Sequence, residues 1–212
     1  IDAASPGAVI GVDGTSDDLS PADRIILDTA NVTLTGFNGR PTIDLSSEYN
    51  EPDSVKIDAP NVTVRNLDIL GPAKSEGNNP DAIAITSKGA MIENNEISDF
   101  TTQIAFRKQG GPEISDIKIR GNQFTGPTFS IGQTEDLRSN SLTVTGNTFY
   151  NVTEGIGLGG EGPDILDVDG SDEIAQVIAD NTWNVITGEQ YAVKDYTADP
   201  PEEYGPNYTG DS

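Results

Sequence analysis

The sequence predicts an all-β chain wound as a solenoid of about six stacked rungs. Three observations carry the prediction. A short motif recurs at intervals of 25 to 34 residues, its apolar positions alternate with period two in runs of three, and Gly, Asn, Asp and Pro separate the runs. An apolar fraction of 34% over 212 residues suits one continuous core better than two.

The copies in chain order justify the rungs. Val32-Thr33-Leu34 leads to Phe37, and Val62-Thr63-Val64 leads to Leu67 and Ile69. Four later copies add an asparagine: Ala90-Met91-Ile92 before Asn95, Ile117-Lys118-Ile119 before Asn122, Leu142-Thr143-Val144 before Asn147, and Gln176-Val177-Ile178 before Asn181. With Phe37, Leu67 and the four asparagines taken as equivalent, the spacings are 30, 28, 27, 25 and 34. A second triplet follows each copy: Ile43-Asp44-Leu45, Ile83-Ala84-Ile85, Ile104-Ala105-Phe106, Phe129-Ser130-Ile131, Ile156-Gly157-Leu158 and Tyr191-Ala192-Val193. Such runs are very short strands, and no rung buries its apolar face alone. Stacking buries it at about 4.8 Å per rung, so six rungs make a rod ~30 Å long. Connections 46–54, 107–116, 132–141 and 159–174 vary most in length. Insertions on one side of a solenoid often line its functional face.

Each asparagine sits at a bend between two strands, where an inward carboxamide bonds the asparagine of the next rung and satisfies otherwise unpaired polar groups. With the turns Gly121-Asn122-Gln123-Phe124 and Gly146-Asn147-Thr148-Phe149, the chain resembles the right-handed parallel β-helix of the pectin-lyase-like superfamily over about residues 1–195. The resemblance implies a right-handed, single-stranded parallel solenoid with an inward asparagine ladder. It also implies that Ile1 to Val12 is the end of a capping helix followed by a first strand, with most of that cap preceding Ile1. Residues 196–212, rich in Pro, Asp and Glu, read as an acidic tail or linker.

Composition excludes several functions. The chain has 35 Asp plus Glu against 12 Lys plus Arg, a formal charge of -23, and neither His nor Cys. Nucleic-acid binding depends on cations that neutralise phosphates, and this balance opposes it. Without His or Cys there is no Ser-His-Asp or Cys-His machinery, no ordinary zinc or copper site, and no disulfide. No run of about 18 apolar residues spans a membrane. The chain needs no cofactor on this reading, and any metal is a hard, oxygen-bound one such as calcium.

In enzymes of the resembling superfamily the active site lies on the outside of one strand stack. A glycoside hydrolase needs two carboxylates there, about 5 to 9 Å apart. The outward centres of the second triplets are Asp44, Ala84, Ala105, Ser130, Gly157 and Ala192, of which only Asp44 is a carboxylate. A polysaccharide lyase instead needs a cationic base and a calcium ion or cation for the uronate; Arg107 and Lys108, with Asp44 as partner, are the candidates. The competing account makes Arg107 and Lys108 solvated loop charges. Tyr49, Tyr150 and Arg107 are candidate sugar contacts, whereas Phe124, Phe149 and Trp183 fall at inward positions and read as core. Asp164, Asp167, Asp169 and Asp172, spaced around Gly170, suit a calcium shell but miss the EF-hand register, and so acidic a composition produces such clusters unaided. Four glycosylation sequons stand at Asn31, Asn61, Asn151 and Asn207; the first two are also generated by the repeat itself.

A very acidic surface with few lysines matches proteins that work in molar salt, where the Debye length falls to about 3 Å. The leading expectation is a non-catalytic extracellular or cell-surface module of a larger, salt-adapted assembly, structural or glycan-adhesive. Its partners would be a polysaccharide, a cell-surface glycan, protein neighbours or further copies of itself. The alternatives are a lyase acting on acidic polysaccharide by β-elimination, and a viral spike or fibre domain binding host glycans.

Overall fold

A computed structural model describes residues 4–209 except 16–18, 20, 22, 46–52, 73–79, 108–112, 127–128, 133–135, 139, 161, 168–172 and 185–190. The chain visits three parallel sheets in a fixed order and then returns to the first, one rung further along. The first sheet stacks Val9–Asp13, Thr33–Phe37, Thr63–Arg65, Met91–Glu93, Ile117–Arg120 and Leu142–Thr145. The second stacks Thr42–Asp44, Asp68–Leu70, Glu96–Ser98, Gln123–Thr125, Thr148–Tyr150 and Thr182–Asn184. The third stacks Ile25–Leu27, Asp53–Ile57, Asp81–Ile85, Thr102–Phe106, Phe129–Ile131, Glu154–Leu158 and Tyr191–Asp195, and is closed by an antiparallel strand, Glu202–Tyr204. The expected all-β parallel solenoid is therefore the observed fold, its third sheet one parallel strand deeper than the six rungs read from the sequence.

Sharp corners join such short strands, and left-handed backbone makes them. Asn66, Asn94, Gly121 and Gly146 turn the first corner with φ of 55°, 56°, 64° and 65°. Asn31, Asn61, Gly89 and Asp116 turn the corner from third sheet to first. Asparagine, aspartate and glycine tolerate this region best, which is why those residue types recur there. At Gly121 a Cβ would also lie 2.6 Å from Asn94 Oδ1, so a side chain there would have to displace the Asn94 carboxamide.

The residue after each first-corner turn points inward. Asn95, Asn122 and Asn147 are fully buried, and each Oδ1 accepts the backbone N–H of the preceding rung: Leu67, Asn95 and Asn122 donate at 3.1, 3.0 and 2.9 Å. Their Nδ2 groups bond the next asparagine, Asn122 to Asn147 and Asn147 to Asn181 at 3.0 Å each. Around this ladder Leu34, Val64, Ile92, Ile119 and Val144 file down the first sheet, and Phe124 and Phe149 down the second, all buried.

Three details differ from the sequence reading. Phe37 is not a ladder position; it ends a first-sheet strand at 44% exposure, and the register of Thr42 with Asp68 gives that place to Pro41. Ile43-Asp44-Leu45 belongs to the second sheet, while Val55-Lys56-Ile57 is the true partner of Ile83-Ala84-Ile85. Gln176-Val177-Ile178 is not a strand but lies within the helix Glu173–Ala179, which buries Ile174, Ala175, Val177 and Ile178. Those four positions recur at helical spacing, and alanine and glutamine favour a helix where the stack ends. The residues read as a tail carry Glu202–Tyr204, and Tyr204 and Tyr208 pack against the core.

Replacing Asn147 by alanine strands the buried N–H of Asn122 and the carbonyl of Ile119, to which Asn147 donates at 2.9 Å. Asn147→Ala is expected to cost about 2–4 kcal/mol in chemical denaturation, more than Asn181→Ala at the half-buried end of the ladder.

Candidate functional site

Charge gathers where strands of the third sheet begin. Register places Asp53, Asp81, Thr102, Phe129, Glu154 and Tyr191 in one file, one residue from each successive rung. Three of the six are acids, and all three are buried. Adjacent rungs lie about 4.8 Å apart, so Asp53 and Asp81 form a carboxylate pair of the kind a hydrolase would need.

Both are clamped. Arg24 Nη1 donates to Asp53 Oδ1 at 2.9 Å. Arg107 Nε and Nη2 both donate to Asp81 Oδ2, at 3.0 and 2.7 Å, and Thr102 adds a side-chain hydrogen bond. Burial pushes the Asp81 carboxyl above its ordinary value; Arg107 pulls it back, and the neighbouring Asp53 charge raises it again. The arginine side chain is 54% exposed while its partner is nearly enclosed, so its stem lies at the surface and its head neutralises an interior charge.

At the far end of the file, Glu154 Oε2 accepts the Tyr196 hydroxyl at 2.8 Å, and Glu154 Oε1 is buried without a partner. Burial likewise raises the Glu154 carboxyl, opposed by Tyr196 and Lys194. Lys194 Nζ is 2.9 Å from Glu203 and 5.3 Å from the ring centres of both Tyr191 and Tyr196. On the first sheet the buried Glu93 is gripped by Arg120 at 2.7 Å and approached by Arg65 at 3.6 Å.

The structure separates most of the residues read as a site. Asp44 stands on the second sheet beside Leu70, so the imagined Arg107–Asp44 pair is not formed and Asp81 takes the arginine. Both of the bonds that Arg107 makes to Asp81 use its guanidinium as a counter-ion to a buried carboxylate. Tyr150 ends a second-sheet strand at 43% exposure, in register with Thr125 and Asn184. Asp164 lies in the short 3-10 helix Gly162–Ile165, and Asp167, three residues on, is exposed and accepts the Thr143 hydroxyl at 3.0 Å. Lys108, Tyr49, Asp169 and Asp172 lie outside the described residues. Among the described residues no three acids gather as a metal would need. All four sequon asparagines are exposed. Asn61 Nδ2, however, donates to Asn31 Oδ1 at 3.1 Å, an outer ladder that occupies the amide a glycan would need.

Sequence reasoning missed Asp81 and Glu154 because it cut the third-sheet strands to their apolar triplets, and Asp53 because it took Ile43-Asp44-Leu45 for that rung's triplet and 46–54 for a connection. The signal was present: Asp53-Ser54-Val55, Asp81-Ala82-Ile83 and Glu154-Gly155-Ile156 repeat an acid, a small residue and a β-branched residue.

Residues 31–171, about two thirds of the chain, match the right-handed β-helix region family. The chain belongs to that family. This agrees with the handedness and superfamily implied by the asparagine turns. No curated protein and no solved structure matches the chain in a search of either kind.

Removal of the clamp has a pH signature. A buried acid with a raised folded value favours folding below its ordinary titration range and loses that contribution as pH rises through the folded value. Arg107→Met raises Asp81 further. The variant should therefore lose about 1–2 kcal/mol at pH 7, below the ~3–5 of a fully buried pair because the arginine is half solvated. The deficit should shrink toward zero near pH 3.5, and Asp81→Asn should rescue the variant at pH 7. Urea titrations at both pH values check it.

Proposed function

We propose that this β-helix chain is a non-catalytic, salt-adapted module of the cell exterior, lending a larger assembly a rigid structural or glycan-binding rod. The observation that carries the reading is the two-point hold of Arg107 on Asp81. It turns the best-placed cation of the strand face into a counter-ion. Arg24 holds Asp53 by a contact of 2.9 Å, so the two arginines serve to neutralise two stacked, buried carboxylates within the wall.

The habitat rests on where the remaining acids stand. Asp28, Asp58, Asp99, Asp116 and Asp180 are exposed near the ends of strands or helix, while the few acids that are buried, such as Asp53, Asp81 and Glu93, are held by arginines. A net charge of -23 on so small a rod repels itself, and molar salt screens that repulsion.

The protein should melt roughly 5–10 °C higher in 2 M KCl than in 0.1 M KCl. It should release no ultraviolet-absorbing unsaturated product from pectate, alginate or hyaluronan in 2 M KCl with calcium. Product that appears and then disappears on Arg107→Ala would establish the lyase instead.

A further inference from the structure

The aromatic file of the second sheet ends in an open ring. Phe124 stacks on Phe149 at 5.2 Å, and Phe149 on Trp183 at 4.2 Å and 7°. Among the described residues Trp183 lies on the last strand of that sheet, and no further strand covers it. Three of its borders are accounted for. Phe149 covers one face, the indole N–H donates to the Ile178 carbonyl at 2.9 Å, and the outer edge of the six-membered ring sits over Gly155, where a Cβ would come within 2.3 Å. Trp183, half-buried, also lines a groove of about 780 Å³ between the helix Glu173–Ala179 and the segment carrying Asn207, Tyr208 and Thr209. Tyr208 is braced edge-on by Tyr204 at 4.8 Å.

We infer that this groove is a carbohydrate subsite for neutral sugar rings. Sugars stack their C–H faces on fixed aromatic planes and bond their hydroxyls to neutral amides and hydroxyls at the rim. Trp183 supplies such a plane, locked on three borders, and Tyr208 lines the same groove. Asn207, Thr182 and Thr209 are exposed along the rim. Charge decides the class of sugar. The described residues lining the groove include no Asp, Glu, Lys or Arg, although acids make up 35 of 212 residues. A neutral window in so acidic a shell offers uronates no cation and surrounds them with repulsion. It leaves neutral hexose or N-acetylhexosamine chains unopposed.

The inference rests on the module reading and names its ligand class. Turnover assays test the module and binding tests the groove, so the two failures are distinguishable. Trp183 is the single tryptophan, so its emission reports this groove and nothing else. Oligomers of glucose, xylose and N-acetylglucosamine should be titrated in 2 M KCl against oligogalacturonate as the charged control. Saturable blue-shifted or quenched emission with at least one neutral series is expected, with none from oligogalacturonate. Tyr208→Ala should weaken that binding about 10-fold or more with an unchanged circular dichroism spectrum. Trp183→Phe, followed by calorimetry, should weaken it by a similar factor. No saturable response to any neutral series, a response to oligogalacturonate instead, or full affinity in a folded Tyr208→Ala variant would overturn the assignment.

Discussion

Each buried asparagine of the first corner accepts the backbone N–H of the rung before it and donates to the asparagine of the rung after it, so one side chain ties neighbouring turns of chain together. The constraint behind this is simple. A corner sharp enough to join two three-residue strands breaks the sheet ladder, and its backbone groups face an interior without water. Leaving them unpaired at every rung would cost a few kcal/mol each. The carboxamide is the side chain with both an acceptor and two donors at the right reach, and Asn95, Asn122 and Asn147 fill the place in three successive rungs. The other parts follow from it: with corners satisfied, strands need only enough length to point one or two apolar residues inward, and rungs can be as short as about 25 residues.

The same geometry governs charge. A solenoid wall brings equivalent positions of successive rungs to one strand spacing, so like charges in one file repel unless a cation intervenes. Asp53 and Asp81 would be such a pair, and Arg24 and Arg107 stand against them. Glu93 draws Arg120 and Arg65 on another wall. Few basic residues exist, and four of them, Arg24, Arg65, Arg107 and Arg120, face buried acids. The unbalanced charge therefore belongs mainly to the corners and loops, a solvated shell around an apolar and amide core that holds a few arginine-paired acids.

Much of this was legible in the sequence because the repeat enforces itself. The asparagine register from Asn95 to Asn181, the inward Phe124 and Phe149, and the stacking of rungs could be read from spacing, and the parallel course from the family resemblance. The misreadings have physical causes. Phe37 mimicked a ladder residue because glycine and asparagine surround both kinds of turn. The early Ile43-Asp44-Leu45 mimicked a third-sheet triplet because three-residue strands of any sheet look alike. The segment 173–179 satisfied both a strand triplet and a helical pattern, and only the end of the stack decides between them. Which carboxylate meets Arg107 was not legible, since it depends on register between rungs. The groove beside Trp183 was hidden for the same reason: the sequence marks the ring as core and does not show that the stack stops there.

If the ladder carries the fold, the amide protons that end on asparagine oxygens must be as protected as those inside strands. Native-state hydrogen exchange at Leu67, Asn95, Asn122 and Asn147 measures this directly. These corner amides should exchange only through global unfolding, with the same free energy as Ile92 and Ile119 in the flanking strands. Exchange at the rate of ordinary turn amides, while the strands stay protected, would show that the corners open independently and would contradict the account.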